Sequence, residues 1–289
     1  MNPAPSVIVF TVLSGMGFGY LALLATFHDY SGAAAFWHWA FGYVLATIGL
    51  MASVFHLGNP QRAWRAFTQW RSSWLSREAW GAVLTLLAFA PLALSDWLGL
   101  GLPRGFGWLG AALALATVLA TGMIYAQIRA VPRWHHWSVP LLFLAYAVAG
   151  GCLLAGFRVS AILALVAVAI TLWLHWRIGD GAFARAGSTL GSATGLGARG
   201  AVSVFEPAHT AGSYLLREMI YVVGRRHVPK LRMLALGAGV AAPVLALLLV
   251  PGTAGFGLAI LLYLVGALAQ RWLFFAQAEH VVGLYYGKR

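Results

Sequence analysis

The chain has 289 residues, of which 61% are hydrophobic and 9% charged, with a net charge of +12 and a mean hydropathy of +0.80. A soluble domain carries about 25% charged residues, so this composition excludes a soluble fold and marks an integral membrane protein. The positive excess is then loop charge beside a bilayer, not a nucleic-acid surface.

Backbone groups in lipid must bond internally, which leaves helices or a closed barrel. Continuous apolar runs of about 20 residues select helices. The expected fold is an all-α integral membrane protein with eight transmembrane helices and cytoplasmic N and C termini, a single membrane-anchor domain over residues 1–289. MNPAPSVIVF carries no basic residue ahead of its apolar run, which argues against a cleavable signal peptide. The predicted spans are about 7–27, 34–56, 79–98, 108–128, 138–156, 159–176, 232–250 and 254–277. Gly15, Gly17 and Gly19 in the first, and Gly150-Gly151 in the fifth, permit close helix contact.

Between the second and third spans, Phe55 to Trp80 gathers Arg62, Arg65, Arg71, Arg77 and Glu78. Ser76 is a predicted N-cap for the third span, which puts Glu78 in its first turn, where the helix dipole favours an anion. The plain structural reading of Glu78 is a helix-start carboxylate paired with Arg77 or Arg71. The long loop over 177–231 begins Gly/Ala/Ser-rich and reads as flexible. Its second half holds apolar and aromatic residues, with a short helix expected over Leu215 to Val223. It reads as a docking surface for a cytoplasmic partner or as a basic segment on anionic lipid. Arg271 lies in the eighth span, roughly 25 Å from its start at 1.5 Å per residue. It either snorkels to the inner surface or faces the bundle, where it pairs with Glu78 or Glu279 or contacts a head group.

Orientation follows from counting. One side carries sixteen basic residues: Arg62, Arg65, Arg71, Arg77, Arg129, Arg133, eight between Arg177 and Arg232, and Lys288 and Arg289. The other carries two, Arg104 and Arg158. The positive-inside rule places the first set, and with it the Phe55–Trp80 stretch, in the cytoplasm.

A quinone needs an apolar groove for its tail and polar groups at its two oxygens, with proton donors or acceptors nearby. Histidine suits because it titrates near neutrality, and a desolvated carboxylate can shuttle protons. His56 and Glu78 stand 22 residues apart at one membrane depth, joined by a loop that returns the chain to the same face. They are the candidate catalytic pair, with Arg71, Trp74 and Arg271 as further quinone-binding candidates. Trp74 otherwise belongs to the interfacial belt that most of the thirteen tryptophans form. Bis-histidine haem b would need two histidines on facing helices at similar depth. His56 with His175 is a possible pair, so haem b is possible but not favoured. His38 lies near the outer face, His280 near the inner, and His135, His136, His209 and His227 in loops. Cys152 stands alone in an apolar run, and no Walker A, HExxH or CxxC sequence occurs, so no metal site is expected.

HLGNPQRAWRAF followed by RSSWLSREAW resembles the membrane-anchor family of the dimethyl sulfoxide reductase type (DmsC-like), as do the length and eight-span plan. FEPAHTAGSYLLREM, RRHVPKLR and RWLFFAQAEHVVGLYYG resemble its sulfite dehydrogenase (SoeC-like) branch. The resemblance implies a quinone-binding subunit in the bacterial inner membrane. Its partners would lie on the cytoplasmic side: a molybdopterin subunit with a bis-guanine-dinucleotide cofactor, and a ferredoxin-like iron–sulfur subunit with four [4Fe-4S] clusters. His56 and Glu78 match the family positions tied to quinone handling. Arg62, Arg65, Glu206, His209, Arg217 and Glu218 are the expected partner contacts. Electrons would pass to ubiquinone or menaquinone, most directly from sulfite oxidation. The alternatives are a quinol-oxidising reductase anchor, a haem b subunit or a secondary transporter.

Overall fold

The structure is a computed structural model that describes residues 1–2, 4–206, 212–220 and 223–287. Among them all regular structure is helical. The principal helices are α1 (Pro5–Phe27), α2 (Gly32–Ala52), α3 (Trp74–Leu98), α4 (Gly105–Ala126), α5 (Ser138–Leu154) and α6 (Arg158–Asp180). Two short ones follow, α7 (Ala182–Arg185) and α8 (Leu190–Thr194), then α9 (Val228–Leu236), α10 (Ala242–Leu249) and α11 (Gly252–Ala276).

Seven helical stretches are long and apolar enough to cross a membrane. They are α1, α2 with its extension to His56, α3, α4, α6, Arg225–Leu249 and α11. The expected fifth span is shorter: α5 has 17 residues, about 26 Å at 1.5 Å per residue. Arg225–Leu249 is one stretch containing α9, a π-helical turn over Gly237–Ala241 and α10. In the long loop, Leu215–Met219 is a π-turn and Val223–His227 a 3₁₀ turn.

Boundaries moved where caps and pairing partners decided them. Helix α3 starts at Trp74, ahead of the predicted 79, because the Ser73 hydroxyl caps it by accepting the Ser76 backbone N–H. Glu78 therefore sits past the first turn, and Ser76 instead accepts from the Gln69 amide at 3.3 Å. Helix α3 ends where Gly99 adopts φ 70°, a left-handed stop that glycine takes without steric cost. Helix α6 runs on to Asp180, where Arg133 at 2.9 Å and Arg232 at 2.5 Å bind the carboxylate.

Helix α1 is the axis of the bundle, packing against α2, α4 and α5 and more lightly against α11. Close approach explains its glycines. A Cβ on Gly19 would stand 2.0 Å from the Ala147 carbonyl oxygen of α5, and one on Gly17 2.5 Å from the Ala46 nitrogen of α2. At one end of the bundle the two chain ends meet the loops. The Met1 amine donates to Ala278 O at 2.9 Å, and the Val281 amide to Ala130 O at 2.9 Å. At the other end Arg104 joins Asp29 and Asp96, each at 3.0 Å.

Gly19→Ala is expected to destabilise the protein by about 1–3 kcal/mol through overpacking, measured by denaturant unfolding in detergent. Gly257→Ala, where a Cβ meets nothing within 4 Å, is the control and should change little.

Candidate functional site

The Phe55–Trp80 stretch folds as two 3₁₀ turns, Ser53–His56 and Pro60–Phe67, followed by a turn into α3. Side chains of α3 reach back to hold it. Arg77 donates from Nε to Trp70 O at 3.1 Å and from Nη2 to Arg71 O at 2.7 Å. Its guanidinium lies 4.4 Å from the Trp74 ring centroid. Trp80 donates from Nε1 to Phe67 O at 3.0 Å, and the two rings meet edge to face at 5.4 Å. Arg77 is therefore committed to loop carbonyls and is not the partner of Glu78.

These contacts leave an open groove of about 480 Å³ lined by Phe67, Trp70, Arg77, Trp80, Gly81 and Leu84. Four of the six recur at i, i+3, i+4 and i+7 along α3, so they share one helix face. The groove is aromatic and apolar, with a guanidinium at its loop end.

Glu78 occupies the neighbouring face of α3 and is buried, 4% exposed, among Ala82, Thr85 and Phe89 of the same face. Its partner lies across the helix interface: Thr121 Oγ1 of α4 donates to Glu78 Oε1 at 2.5 Å. The same hydroxyl is 3.1 Å from Thr117 O, and the Thr117 hydroxyl is 3.1 Å from that of Thr85. Gly81 lets this seam close, since a Cβ there would stand 2.7 Å from Thr117 Oγ1. A buried carboxyl beside an exposed groove, with a hydroxyl to bind either of its protonation states, can hold or release a proton.

The other expected residues are scattered around this centre. His56 is exposed at the end of the α2 extension, and no hydrogen bond joins it to Glu78. Arg71 is exposed, its guanidinium 5.3 Å from the Trp70 ring centroid, and Trp74 is half-buried beneath Arg77.

Arg271 does not snorkel. It is 2% exposed, with its guanidinium 3.6 Å from the Phe143 ring centroid. Its Nε and Nη1 have no hydrogen-bond partner, and no carboxylate pairs with it among the described residues. Glu279 pairs instead with Arg225 at 3.7 Å. Arg271 lines a cavity of about 10 Å³ with Thr11, Tyr146 and Tyr263, room for about one water molecule and not for a quinoid ring. Expected as a head-group contact, it belongs to the closed core.

Of the haem candidates, His175 is enclosed, 2% exposed, with Nδ1 3.1 Å from the Ser138 hydroxyl, while His38 Nδ1 meets the Tyr20 hydroxyl at 2.6 Å near the opposite end. The expected partner contacts Arg62, Arg65, Glu206, Arg217 and Glu218 are all exposed, and His209 lies outside the described residues. Beside them stand Trp64, 62% exposed, and Phe205, 97% exposed. Phe67, Trp80, Gly81 and Leu84 as groove wall, and Thr121 as the partner of Glu78, escaped the sequence reading. The spacing of Arg77, Trp80, Gly81 and Leu84, and of Thr117 and Thr121 within an apolar run, was the available signal.

The family model described as "DMSO reductase anchor subunit (DmsC)" matches residues 1–277. The chain is 32% identical to a sulfite dehydrogenase subunit of Allochromatium vinosum, over 99% of both chains. It is 29% identical to "Anaerobic dimethyl sulfoxide reductase chain YnfH" of Escherichia coli, over 45% of this chain and 51% of that one. No solved structure matches.

Burying a charge costs free energy unless it is paired and hydrogen-bonded, and the Arg271 guanidinium has no carboxylate partner among the described residues. Arg271→Met is therefore expected to leave the thermal midpoint in detergent unchanged or raised. A large drop would mean that the guanidinium holds the core together.

Proposed function

We propose, from the premise that this chain belongs to the DMSO reductase anchor subunit (DmsC) family and is the membrane anchor of an oxidoreductase complex, that it binds a quinone and reduces it at the α2–α3 turn. The family brings a molybdopterin catalytic subunit and an iron–sulfur subunit as partners. What carries the quinone reading is the pairing of the roughly 480 Å³ aromatic groove with a buried carboxyl one helix face away. The volume lies within the range of small-molecule pockets, about 300–1,000 Å³.

In this reading eight helices cross the bacterial inner membrane, with α5 as the shortest. The loop-rich, basic end faces the cytoplasm, as the imbalance of sixteen basic residues to two favours. The isoprenoid tail lies along Trp80, Gly81 and Leu84. Arg71, Trp74 and Arg77 position the head group, and His56 is the hydrogen-bond partner of one quinone oxygen. Glu78 passes protons from the interior of the α3–α4 interface. Reduction to quinol takes up two electrons and two protons. Oxidation of sulfite with one water to sulfate, the reaction that the name of the Allochromatium vinosum relative favours, releases the same number of each. Similarity to the Escherichia coli dimethyl sulfoxide reductase chain favours a second reading at the same groove, with quinol oxidised and electrons flowing the other way. Arg62, Arg65, Glu206, His209, Arg217 and Glu218, with the exposed rings of Trp64 and Phe205, dock the iron–sulfur subunit. Charged and aromatic groups in this mixture are typical of such interfaces.

Two variants test this reading in the purified complex. Glu78→Gln should lower quinone-coupled turnover by about 10²- to 10⁴-fold, the scale of general acid–base contributions, while the partners still co-purify. Leu84→Trp should fill the groove and raise KM for a short-chain quinone without changing electron delivery to a water-soluble acceptor. Wild-type kinetics in both would remove the groove and Glu78 from the mechanism.

A further inference from the structure

The Thr121 hydroxyl has one hydrogen and two acceptors within reach: Glu78 Oε1 at 2.5 Å and Thr117 O at 3.1 Å. A hydroxyl donates once and accepts through its lone pairs. When Glu78 is ionised, Thr121 donates to it. When Glu78 is protonated, its carboxyl O–H donates to Thr121, and Thr121 turns its own hydrogen to the Thr117 carbonyl. Each protonation state is thus hydrogen-bonded with no movement heavier than a hydroxyl rotation.

Burial leaves bulk water little access to this bond. Glu78 is 4% exposed, Thr121 6%, Thr117 2% and Thr85 0%. Threonine bonding back to its own helix is common and needs no carboxylate. Here a second helix places a carboxylate on the same hydroxyl. Gly81, in the groove wall, permits the approach by leaving the space a Cβ would take beside Thr117.

We propose that Thr121 is a positioning residue for quinone chemistry, a reversible hydrogen-bond donor that lets Glu78 load and unload a proton inside the bundle. The inference rests on the reading of Glu78 as the quinone's proton route. Other titratable or charged groups on the elements around Glu78 are few. Helix α4 contributes Tyr125, one turn beyond Thr121, and α11 contributes Arg271, which interacts electrostatically with Tyr125. Helix α2 contributes Tyr43, which donates to Leu86 O, and His56 at its end. The one titratable side chain of α1 is Tyr20, engaged with His38 at the other end. Arg77, on α3 itself, is held by loop carbonyls.

The test compares Thr121→Val, which keeps the shape and loses the hydroxyl, with Thr121→Ser, which keeps the hydroxyl. Both are assayed in the assembled complex. Because Glu78 must carry a proton to deliver it, loss of the donor should move the alkaline limb of the kcat–pH profile for quinone reduction about one unit to higher pH, with Thr121→Ser restoring the wild-type limb. The carboxyl C=O stretch, assigned as the infrared band missing in Glu78→Gln, should shift in Thr121→Val and not in Thr121→Ser. A Thr121→Val protein with reduced thermal stability but an unmoved limb and band makes Thr121 a structural tie and overturns the proposal. If Glu78→Gln itself retains the wild-type limb, it is the quinone reading of Glu78 that fails.

Discussion

The bundle depends on how closely backbones can approach α1. Gly19 lies against the Ala147 carbonyl of α5 and Gly17 against the Ala46 backbone of α2, at separations that leave no room for a methyl group. Lipid offers no hydrophobic drive for helix pairing, so contact area and satisfied polar groups decide association. Once α1 is enclosed by α2, α4 and α5, α3 can close on α4 through the seam of Gly81, Thr85, Thr117 and Thr121. That seam is where the chain keeps Glu78. The buried carboxyl is thus a consequence of the packing as much as of the helix that carries it.

The groove and the carboxyl divide α3 between two environments. Arg77, Trp80, Gly81 and Leu84 face the open side, while Glu78, Ala82 and Thr85 face α4. Gly81 belongs to both, lining the groove and admitting Thr117. The groove and the Glu78 carboxyl thus share a wall without sharing a surface. Arg271, enclosed over Phe143, lines a different cavity from the groove along Trp80.

Much of the fold was legible because long apolar runs interrupted by charge have few other solutions in a bilayer. Seven of the eight expected apolar runs coincide with helices long and apolar enough to cross a membrane, and the remaining one is the shorter α5. The start of α3 was not legible, since Ser73 and Ser76 are equally good caps on paper and only the path of the preceding turn chooses between them. The sequence marked Glu78 as unusual but missed its partner, 43 residues away on another helix. Local pairing with Arg77 was the wrong expectation because the loop carbonyls of Trp70 and Arg71 compete for that guanidinium. The place of Arg271 near the end of the last helix was readable from the sequence. Whether it faced lipid, surface or core depended on how that helix is rotated, which an all-round apolar helix does not reveal.

The ties between Arg77 and the carbonyls of Trp70 and Arg71, and between Trp80 and that of Phe67, leave the connection into α3 no slack. An inserted or deleted residue between Phe67 and Trp74 would slide those carbonyls out of register with both side chains at once. Length variation among descendants of this chain should therefore accumulate in the segment from Ala182 to Phe205, while the short reach into α3 stays constant in length even where its side chains drift.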